Sequence, residues 1–167
     1  MTPDVPSSGA LGAFVVRDAT VNDIDTVLHL GKAFHGSSPS YRDFHYDSEH
    51  TRRFLERFVE DSQNALFLVA EIQSEAVGFF VGTLAPIVFV SRAMSVQNLA
   101  YITDEHRHSG IADAFVRRFI KWSDQREVLY MDFPDTSAVP DVSIAGLVEK
   151  HGFKRVGANY RRVGAFA

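Results

Sequence analysis

Apolar residues recur at two different spacings along the chain, and the changes of spacing predict its order of elements. Alternating or continuous apolar runs rich in β-branched residues predict strands at 13–20, 65–72, 76–85, 95–102 and 127–133. Spacings of three and four predict helices at 21–34, from Asp47 or Ser48 onward, at 110–124 and at 141–153. The closing segment 154–166 predicts one or two further strands around Gly157.

This order predicts an α+β fold with a central, twisted, mostly antiparallel sheet of six to seven strands flanked by about four helices. The polar turn QSE joins the second and third strands in a hairpin, and PIVFVSRAM separates that hairpin from the next strand. The segment 1–12 is rich in Pro, Ser and Gly, which predicts a flexible tail before a single domain over 13–167.

Composition and charge exclude several classes of function. The 167 residues carry a formal charge of −4, which argues against a nucleic-acid partner. The absence of cysteine excludes disulfides, thiolate metal sites and a cysteine nucleophile, and it suits a reducing cytoplasm. The chain has no run long and apolar enough for a membrane helix, and its first residues do not have the pattern of a signal peptide. We therefore expect a cytoplasmic protein without a membrane partner.

The stretch ITDEHRHSGIA, residues 102–112, is the clearest candidate for chemistry, because a strand there becomes a helix. Helix N-termini carry unpaired N–H groups and a partial positive charge, and Gly110 lets an anion approach the backbone. Arg107 would add a bidentate cation. The alternative is that Gly110 only relieves a tight turn. Walker-type and dinucleotide-binding motifs are excluded because their glycine spacings are missing.

The run Arg107-His108-Ser109-Gly110-Ile111-Ala112 resembles the signature of the GNAT superfamily of N-acetyltransferases. The segment GLVEKHGFKRVG, residues 146–157, resembles the second signature of that family, and the element order over 13–163 is similar as well. The resemblance implies transfer of an acetyl group from acetyl-CoA to a primary amine on a small molecule, protein or peptide. It leaves open whether the protein is a homodimer.

The same resemblance implies where acetyl-CoA would bind. Backbone amides of residues 107–112 would hold the pyrophosphate, and the pantetheine arm would add as a strand along residues 100–103. A backbone N–H near Tyr101 or Ile102 would stabilise the oxyanion. The implied cofactor-binding residues are Tyr101, Ile102, Thr103, Arg107, His108, Ser109, Gly110, Ile111 and Ala112. Arg117, Arg118 and Lys121 would either hold the adenosine phosphates or form a solvated helix face.

The catalytic residues depart from the family pattern. The position of the tyrosine that protonates the CoA thiolate in many members is Val148 here, and Tyr160 replaces it only if the last strand returns to the cleft. The positions of the usual glutamate base hold Val96 and Asn98, and Asn98 is able to orient water or the acceptor but not to take a proton.

Glu71 and Asp132 remain as acidic candidates, each with the alternative of an ordinary structural carboxylate. Because there is no cysteine, the acetyl group would pass directly within a ternary complex. These departures keep a second hypothesis open, namely a GNAT-fold module that binds CoA or a protein without catalysing transfer.

Histidines and aromatic residues raise the questions of a metal site and of a binding wall for the acceptor. His106 and His108 are two positions apart and no His-x-x-x-His pair occurs, so we expect no metal ion. The loop at 35–47 is aromatic, which predicts either a cation-binding wall for the acceptor or a loop held to the core by its rings.

Overall fold

The computed structural model describes residues 13–135, 144–158 and 160–164. In these ranges, five strands form one sheet and lie side by side in the order in which they occur in the chain. The strands are β1 Phe14–Asp18, β2 Ala65–Ile72, β3 Glu75–Ile87, β4 Val90–Ile102 and β5 Met131–Asp132. The helices are α1 Ile24–Ser37, α2 Ser48–Glu60, α3 Ile111–Asp124 and α4 Ala145–Glu149. Neighbouring strands are antiparallel except β4 and β5, which are parallel. The mixed α+β class is thereby confirmed.

Helices cover both faces of the sheet, which explains why β2 is a continuous apolar run rather than an alternating one. One face packs on α3 in a core that includes Leu66, Leu68, Phe80, Phe115 and Phe119. The other face packs on α1 and α2 in a core that includes Ile24, Val27, Leu55, Val69 and Val81. We call these the α3 face and the α1/α2 face. The buried stretch of β2 and β3 therefore contributes side chains to both cores.

The first two helices begin where polar side chains accept hydrogen bonds from the backbone. A 3-10 turn at Val21–Asp23 precedes α1, and the Asp23 carboxylate accepts from the Thr20 amide at 2.7 Å. The Asp47 carboxylate caps α2 by accepting from the His50 amide at 2.9 Å, which confirms the predicted start of that helix. In the described ranges, no helix combines the length and the apolar character needed to cross a membrane.

The middle of the sheet is longer than the prediction. The β2–β3 hairpin turns at Gln73 and Ser74, which both have positive φ, as a type I′ hairpin turn requires. The predicted separator PIVFVSRAM instead forms the ends of β3 and β4, which pair as far as Ile87 and Val90, with only the exposed Val88 and Phe89 in the turn between them. The prediction of a separator was wrong because the two strands continue into one long hairpin.

The predicted count of six to seven strands was wrong, because the described residues form five. No strand occurs in 154–158 or 160–164, where Val156 and Val163 are exposed and have no core to alternate against. The predicted strand at 127–133 is shorter than expected: Glu127 has a positive φ and lies before it, and strand pairing is confined to Met131–Asp132. The Leu129 amide also donates to the Ala93 carbonyl of β4 at 2.9 Å. Four α-helices agree with the prediction, although 141–143 and the predicted tail 1–12 lie outside the described residues.

Candidate functional site

Strand β4 is left with an open edge where β5 stops pairing. β5 pairs with β4 only at Ser95 and Val96, and in the described ranges no strand continues along β4 as far as Ile102. The Thr103 amide donates to the Val77 carbonyl at 2.9 Å on the β3 side. Because the N–H groups of successive residues in a strand point to opposite sides, the Ile102 amide is directed away from β3. Residues 97–102 therefore offer main-chain groups to an added strand, and we call this side of β4 the open edge.

Alternation also separates the two predicted oxyanion donors. The Tyr101 amide lies on the same side as that of Thr103 and faces β3, whereas the Ile102 amide faces the open edge. The Tyr101 ring packs against Phe34 and Phe79 with centroid distances of 5.8 and 6.2 Å on the α1/α2 face. Burial, with Asp104 nearby, raises the pKa of the Tyr101 hydroxyl. The Tyr101 side chain is thus a neutral wall of the site.

A β-bulge interrupts β4 beside the open edge. Val81 pairs with Leu99 but Gly82 pairs with Gln97, so Asn98 is the extra residue. Asn98 is exposed, and its side-chain oxygen accepts from the Thr83 hydroxyl at 2.9 Å. The bulge therefore turns the Asn98 amide towards the surface of the sheet.

Asn98 and Asp132 lie on the same face of the sheet. A Cβ on Gly82 would meet a ring of α3 at 2.9 Å, so its neighbour Thr83 faces the opposite side, the α1/α2 face. Thr83 is paired with Val96 and bonded to Asn98, and Val96 is in turn paired with Asp132. The structure thus brings together two of the three predicted catalytic residues, next to the end of the open edge.

The third predicted catalytic residue, Tyr160, is elsewhere in the described chain. Its side chain is 97% exposed, and the predicted strand that would have returned it to the cleft is not formed. Its neighbour Arg161 lies 5.8 Å over the Tyr41 ring and donates to the Ser40 carbonyl at 3.4 Å. This placement puts the closing segment against the loop that follows α1.

The phosphate-binding prediction falls on a tight turn from β4 into α3. A 3-10 turn at Asp104–His106 comes first, and Arg107 forms an ion pair with Asp104 across it. The Ser109 amide and hydroxyl both donate to the His106 carbonyl, at 3.1 and 2.6 Å. These contacts fix the path of the chain into the helix, so that Arg107 holds the turn itself.

Gly110 is the N-cap of α3 and has a left-handed φ of 91°. It has no side chain to cap the helix, so the amides of the first turn at Ile111 and Ala112 remain available to an anion. A Cβ on Gly110 would lie 3.6 Å from the Phe14 ring, an ordinary contact. The glycine is therefore needed for its backbone conformation rather than for empty space.

The side chains around Gly110 have separate roles. Ile111 is fully buried in the core of the α3 face, while His108 is exposed. The Thr103 hydroxyl lies 2.8 Å from Nδ1 of His106. Across the described residues, no group of three or more potential metal-ligating side chains was found.

A cavity of about 440 Å³ lies beside α3, on the side of α4. Its lining residues are Arg117, Ile120, Lys121, Asp124, Gln125 and His151. Two of the three basic candidates on α3 are therefore at one cavity. The third, Arg118, instead forms an ion pair of 2.7 Å with Asp18 at the end of β1.

Asp113, in the first turn of α3, links that helix to the end of α4. It accepts from His151 at 2.9 Å and forms ion pairs with Lys150 and Arg117. Burial raises the pKa of Asp113, but the hydrogen bonds from Lys150 and His151 outweigh it and hold the pKa below its usual value. The second signature is thus anchored to the helix that begins at Gly110.

Val148 and Glu71, at two positions considered for proton transfer, both have structural roles. Val148, at the position of the family tyrosine, is 9% exposed and belongs to the core. Glu71 lies on β2, two strands away from β4, and forms an ion pair with Arg17 on β1. The ion pair agrees with the structural alternative for Glu71 and leaves Asp132 as the acid beside the bulge.

The aromatic loop after α1 is held to the core by its rings, which was the second of the two alternatives. The Tyr46 hydroxyl donates to the Leu28 carbonyl at 3.0 Å, and the Tyr41 ring lies 5.7 Å from Phe34. Phe44 is 42% exposed.

Sequence reasoning missed Gln97, a buried polar residue in β4 that is only 7% exposed. With the amide oriented so that its oxygen faces these donors, Oε1 lies 3.1 Å from the Leu99 nitrogen and 3.2 Å from the Ala100 nitrogen. The signal in the sequence was the pair of amide residues inside the otherwise apolar strand SVQNLAYI. It could not show that the two side chains take different directions at a bulge.

Comparison with known proteins places this arrangement in a fold. No family model and no curated protein sequence matches the chain. A possible acetyltransferase from Clostridium difficile 630 is similar with a TM-score of 0.70 at 12% identity, over 91% of this chain and 97% of that one. Glucosamine-6-phosphate N-acetyltransferase from Arabidopsis thaliana gives 0.70 at 11% identity, over 90% and 97%.

A transcriptional regulator from Bacillus halodurans C-125 is similar as well, with a TM-score of 0.71 at 17% identity, over 90% of this chain and 99% of that one. The similarity to solved acetyltransferases confirms the resemblance at the level of the fold. The chain has the GNAT fold.

Proposed function

We propose that this protein is an N-acetyltransferase that moves an acetyl group from acetyl-CoA directly to a primary amine. The observation that carries the proposal is the continuous path from the open edge of β4 to the first turn of α3 at Gly110. An extended arm with amide groups fits the former, and a pyrophosphate fits the latter. Similarity in fold to solved acetyltransferases supports the same class of reaction.

Acetyl-CoA would lie with its pyrophosphate on the amides of residues 107–112 and its pantetheine arm along residues 100–103. The Ile102 amide is directed to the open edge and is suited to hydrogen-bond the arm. Arg117 and Lys121 would meet the adenosine phosphates at the cavity beside α3. Arg117 would exchange its ion pair with Asp113 for that contact, since Lys150 and His151 also hold Asp113. Arg118 has no part in this proposal, because it does not line the cavity and is paired with Asp18.

The acceptor amine would approach from the α1/α2 face, where Asn98 and Asp132 lie together. An amine of pKa near 10 must lose a proton before it attacks, and a carboxylate beside it attracts the cation and receives the proton through water. Asn98 would orient that water or the amine. The acceptor itself is a small molecule or the amine of a protein or peptide, since Asn98 is exposed to solvent at this end of the face and either kind of amine could reach it.

Binding of the donor is the first test of this proposal. Isothermal titration of the wild-type protein with CoA and acetyl-CoA should show one site, and a panel of amines, polyamines, aminoglycosides and peptides should release thiol from acetyl-CoA. Failure to bind CoA and acetyl-CoA would refute the proposal.

Replacement of Asp132 by asparagine tests the assignment of the base. We expect kcat/KM for the amine to fall by about 10²-fold, the lower range of general-base effects, with acetyl-CoA affinity unchanged. Asp135→Asn is the matched control, because Asp135 is exposed three residues further along the chain. Equal activities of D132N and D135N would exclude Asp132 as the base.

A module that binds CoA or a protein without transfer is the second candidate. It is favoured by the buried Val148 at the family tyrosine position and by fold similarity to a transcriptional regulator. Measurable CoA affinity without thiol release for any amine in the panel would favour this module over the enzyme.

A further inference from the structure

Beyond the bulge at Asn98, the α1/α2 face of the sheet continues past the core that α1 and α2 form with it. Among the described residues, that core includes Val81 of β3 and Leu99 of β4, but no residue of 82–98. Side chains that point to this face from 82–98 therefore lie outside the packing of the two helices.

Three apolar side chains occupy this part of the face. Val96 is paired with Thr83, which lies on the α1/α2 face, and alternation along β3 places Ala85 and its partner Met94 on that face as well. All three are partly exposed, and in the described ranges the core of the α3 face includes none of them. We call Ala85, Met94 and Val96 the apolar strip.

The apolar strip adjoins the proposed acceptor site. Val96 is paired with Asp132 on β5, and its other partner, Thr83, is hydrogen-bonded to Asn98. Met94 is two residues further along β4, about 7 Å from Val96, a length that accommodates a short alkyl chain or one aromatic ring. A ligand with its nitrogen beside Asp132 can therefore lay an apolar body on the strip.

Asp132 is the only acidic residue that the strands place here. Residues 82–87 of β3, all of β4 and all of β5 contain no other aspartate or glutamate. One carboxylate attracts one ammonium group, whereas polyamines and aminoglycosides carry several, and holding a further ammonium against apolar side chains costs free energy. The charge and the apolar surface together favour a monoamine.

We infer that the acceptor is a small primary monoamine with an alkyl or aryl body, which lies on the apolar strip with its nitrogen beside Asp132. The inference rests on the proposed acetyltransferase function and names the acceptor class of that same site. Burial of the apolar body supplies binding energy, and the carboxylate fixes which end of the molecule lies next to the acyl donor.

The transfer changes the charge of this ligand. Its ammonium form passes one proton through water to Asp132, and the free amine then attacks the acetyl carbon. As the C–N bond forms, the C–S bond breaks, CoA leaves as the thiolate, and the second proton lost by the nitrogen passes to water. The product amide is neutral and is no longer attracted by Asp132, which favours its release.

A series of n-alkylamines from propylamine to hexylamine tests the strip in the wild-type protein. Each added methylene that leaves water on the strip should raise kcat/KM by about 2- to 4-fold, measured as thiol release from acetyl-CoA. Phenethylamine should likewise be a better acceptor than spermidine or kanamycin. A kcat/KM that does not change with chain length, or that is highest for spermidine or kanamycin, would overturn the inference.

Replacement of Met94 by glutamate tests the charge argument with two substrates of equal length, hexylamine and 1,6-diaminohexane. For the wild type we expect kcat/KM for hexylamine to exceed that for 1,6-diaminohexane by about 10-fold, because the second ammonium group would lie on apolar side chains. The new carboxylate of M94E would attract that group, so the ratio should fall at least about 10-fold. An equal ratio in M94E and wild type would contradict the inference.

Two control variants separate a local charge from other effects. Met94→Leu keeps an apolar side chain of similar volume and should retain the wild-type ratio. Val21→Glu adds the same charge at a 65% exposed apolar position before α1, and it should retain the ratio as well. A ratio lowered equally by V21E and M94E would overturn the inference. If M94E does not fold, the alkylamine series with the wild type decides alone.

Failure of this inference differs from failure of the proposed function. Wild-type protein that releases thiol with amines, but without a preference for the apolar monoamines, refutes the acceptor class alone. Wild-type protein that releases no thiol with any of these amines refutes the enzyme, and the acceptor class with it.

Discussion

Replacing Asp23 by asparagine would test the ion network that joins β1, β2 and the start of α1. Arg17 on β1 donates to both carboxylate oxygens of Asp23 at 2.8 and 2.7 Å, and it also contacts Glu71 on β2. The Asp23 side chain is 11% exposed and that of Arg17 is 36% exposed, so water screens this pair in part, from the Arg17 side. The network therefore links the edge strand to the first helix by more than apolar packing.

The size of the effect follows from the pKa of Asp23. The hydrogen bonds from Arg17, reinforced by those from Thr20, outweigh the opposing effect of burial and lower this pKa from 3.8 to about 2. Since one pKa unit corresponds to about 1.4 kcal/mol, the lowered pKa represents about 2 kcal/mol of stabilisation at neutral pH. A lowered carboxylate pKa stabilises the fold above the unfolded value. This contribution is lost as the pH falls from about 4 to about 2.

Urea unfolding of the wild type and of D23N at several pH values measures this contribution. At pH 7 we expect D23N to lose about 2 kcal/mol of unfolding free energy, and the difference from wild type to shrink as the pH approaches 2. Asp25→Asn is the matched control, because Asp25 pairs with Arg52 and is 82% exposed. A D23N loss no larger than that of D25N, or one that is constant with pH, would refute the reasoning.

Two glycines give further predictions. Gly110→Val should weaken acetyl-CoA binding at least about 10-fold, since a β-branched residue is costly at a φ of 91°. Gly110→Asn should bind acetyl-CoA within a few-fold of wild type, because asparagine tolerates this region of φ. Equal affinities of the two variants for acetyl-CoA in a titration would contradict a conformational role for Gly110. Gly82→Ala should lower the unfolding free energy by about 1–3 kcal/mol, because the new Cβ would lie 2.9 Å from Phe119. Gly146→Ala is the control, since its Cβ would meet nothing within 4 Å, and it should be neutral or slightly stabilising when both variants are unfolded with urea. A Gly82→Ala protein as stable as wild type would show that Phe119 moves aside at little cost.

The helices were the most predictable part of the chain, because their signals are local. The stripe Ile111, Phe115, Phe119 and Trp122 predicts the buried side of α3, and all four residues are buried in the structure. Asp47 likewise predicts the start of α2 through a contact only three residues long. Such features depend on spacing within one element and not on its neighbours.

Strand length was less predictable, because it depends on a pairing partner. The run 127–133 has the composition of a strand, yet only Met131 and Asp132 pair with β4. The residues around Gly157 have alternating apolar side chains as well, but Val156 is 90% exposed and no strand forms there in the described residues. β-propensity describes a side chain that suits a sheet, and it cannot supply the adjacent strand.

The sequence by itself determined the turn at Gly110 and the resemblance it carries, because a tight turn before a helix is written in a few consecutive residues. Only the tertiary structure decided the rest of the site. It stopped β5 beside Val96, placed Asn98 and Asp132 on one face, and inserted the bulge at Asn98 into β4. These relations depend on register and on a bulge, which are set by contacts between strands distant in the chain, and a pattern read along one strand does not contain them.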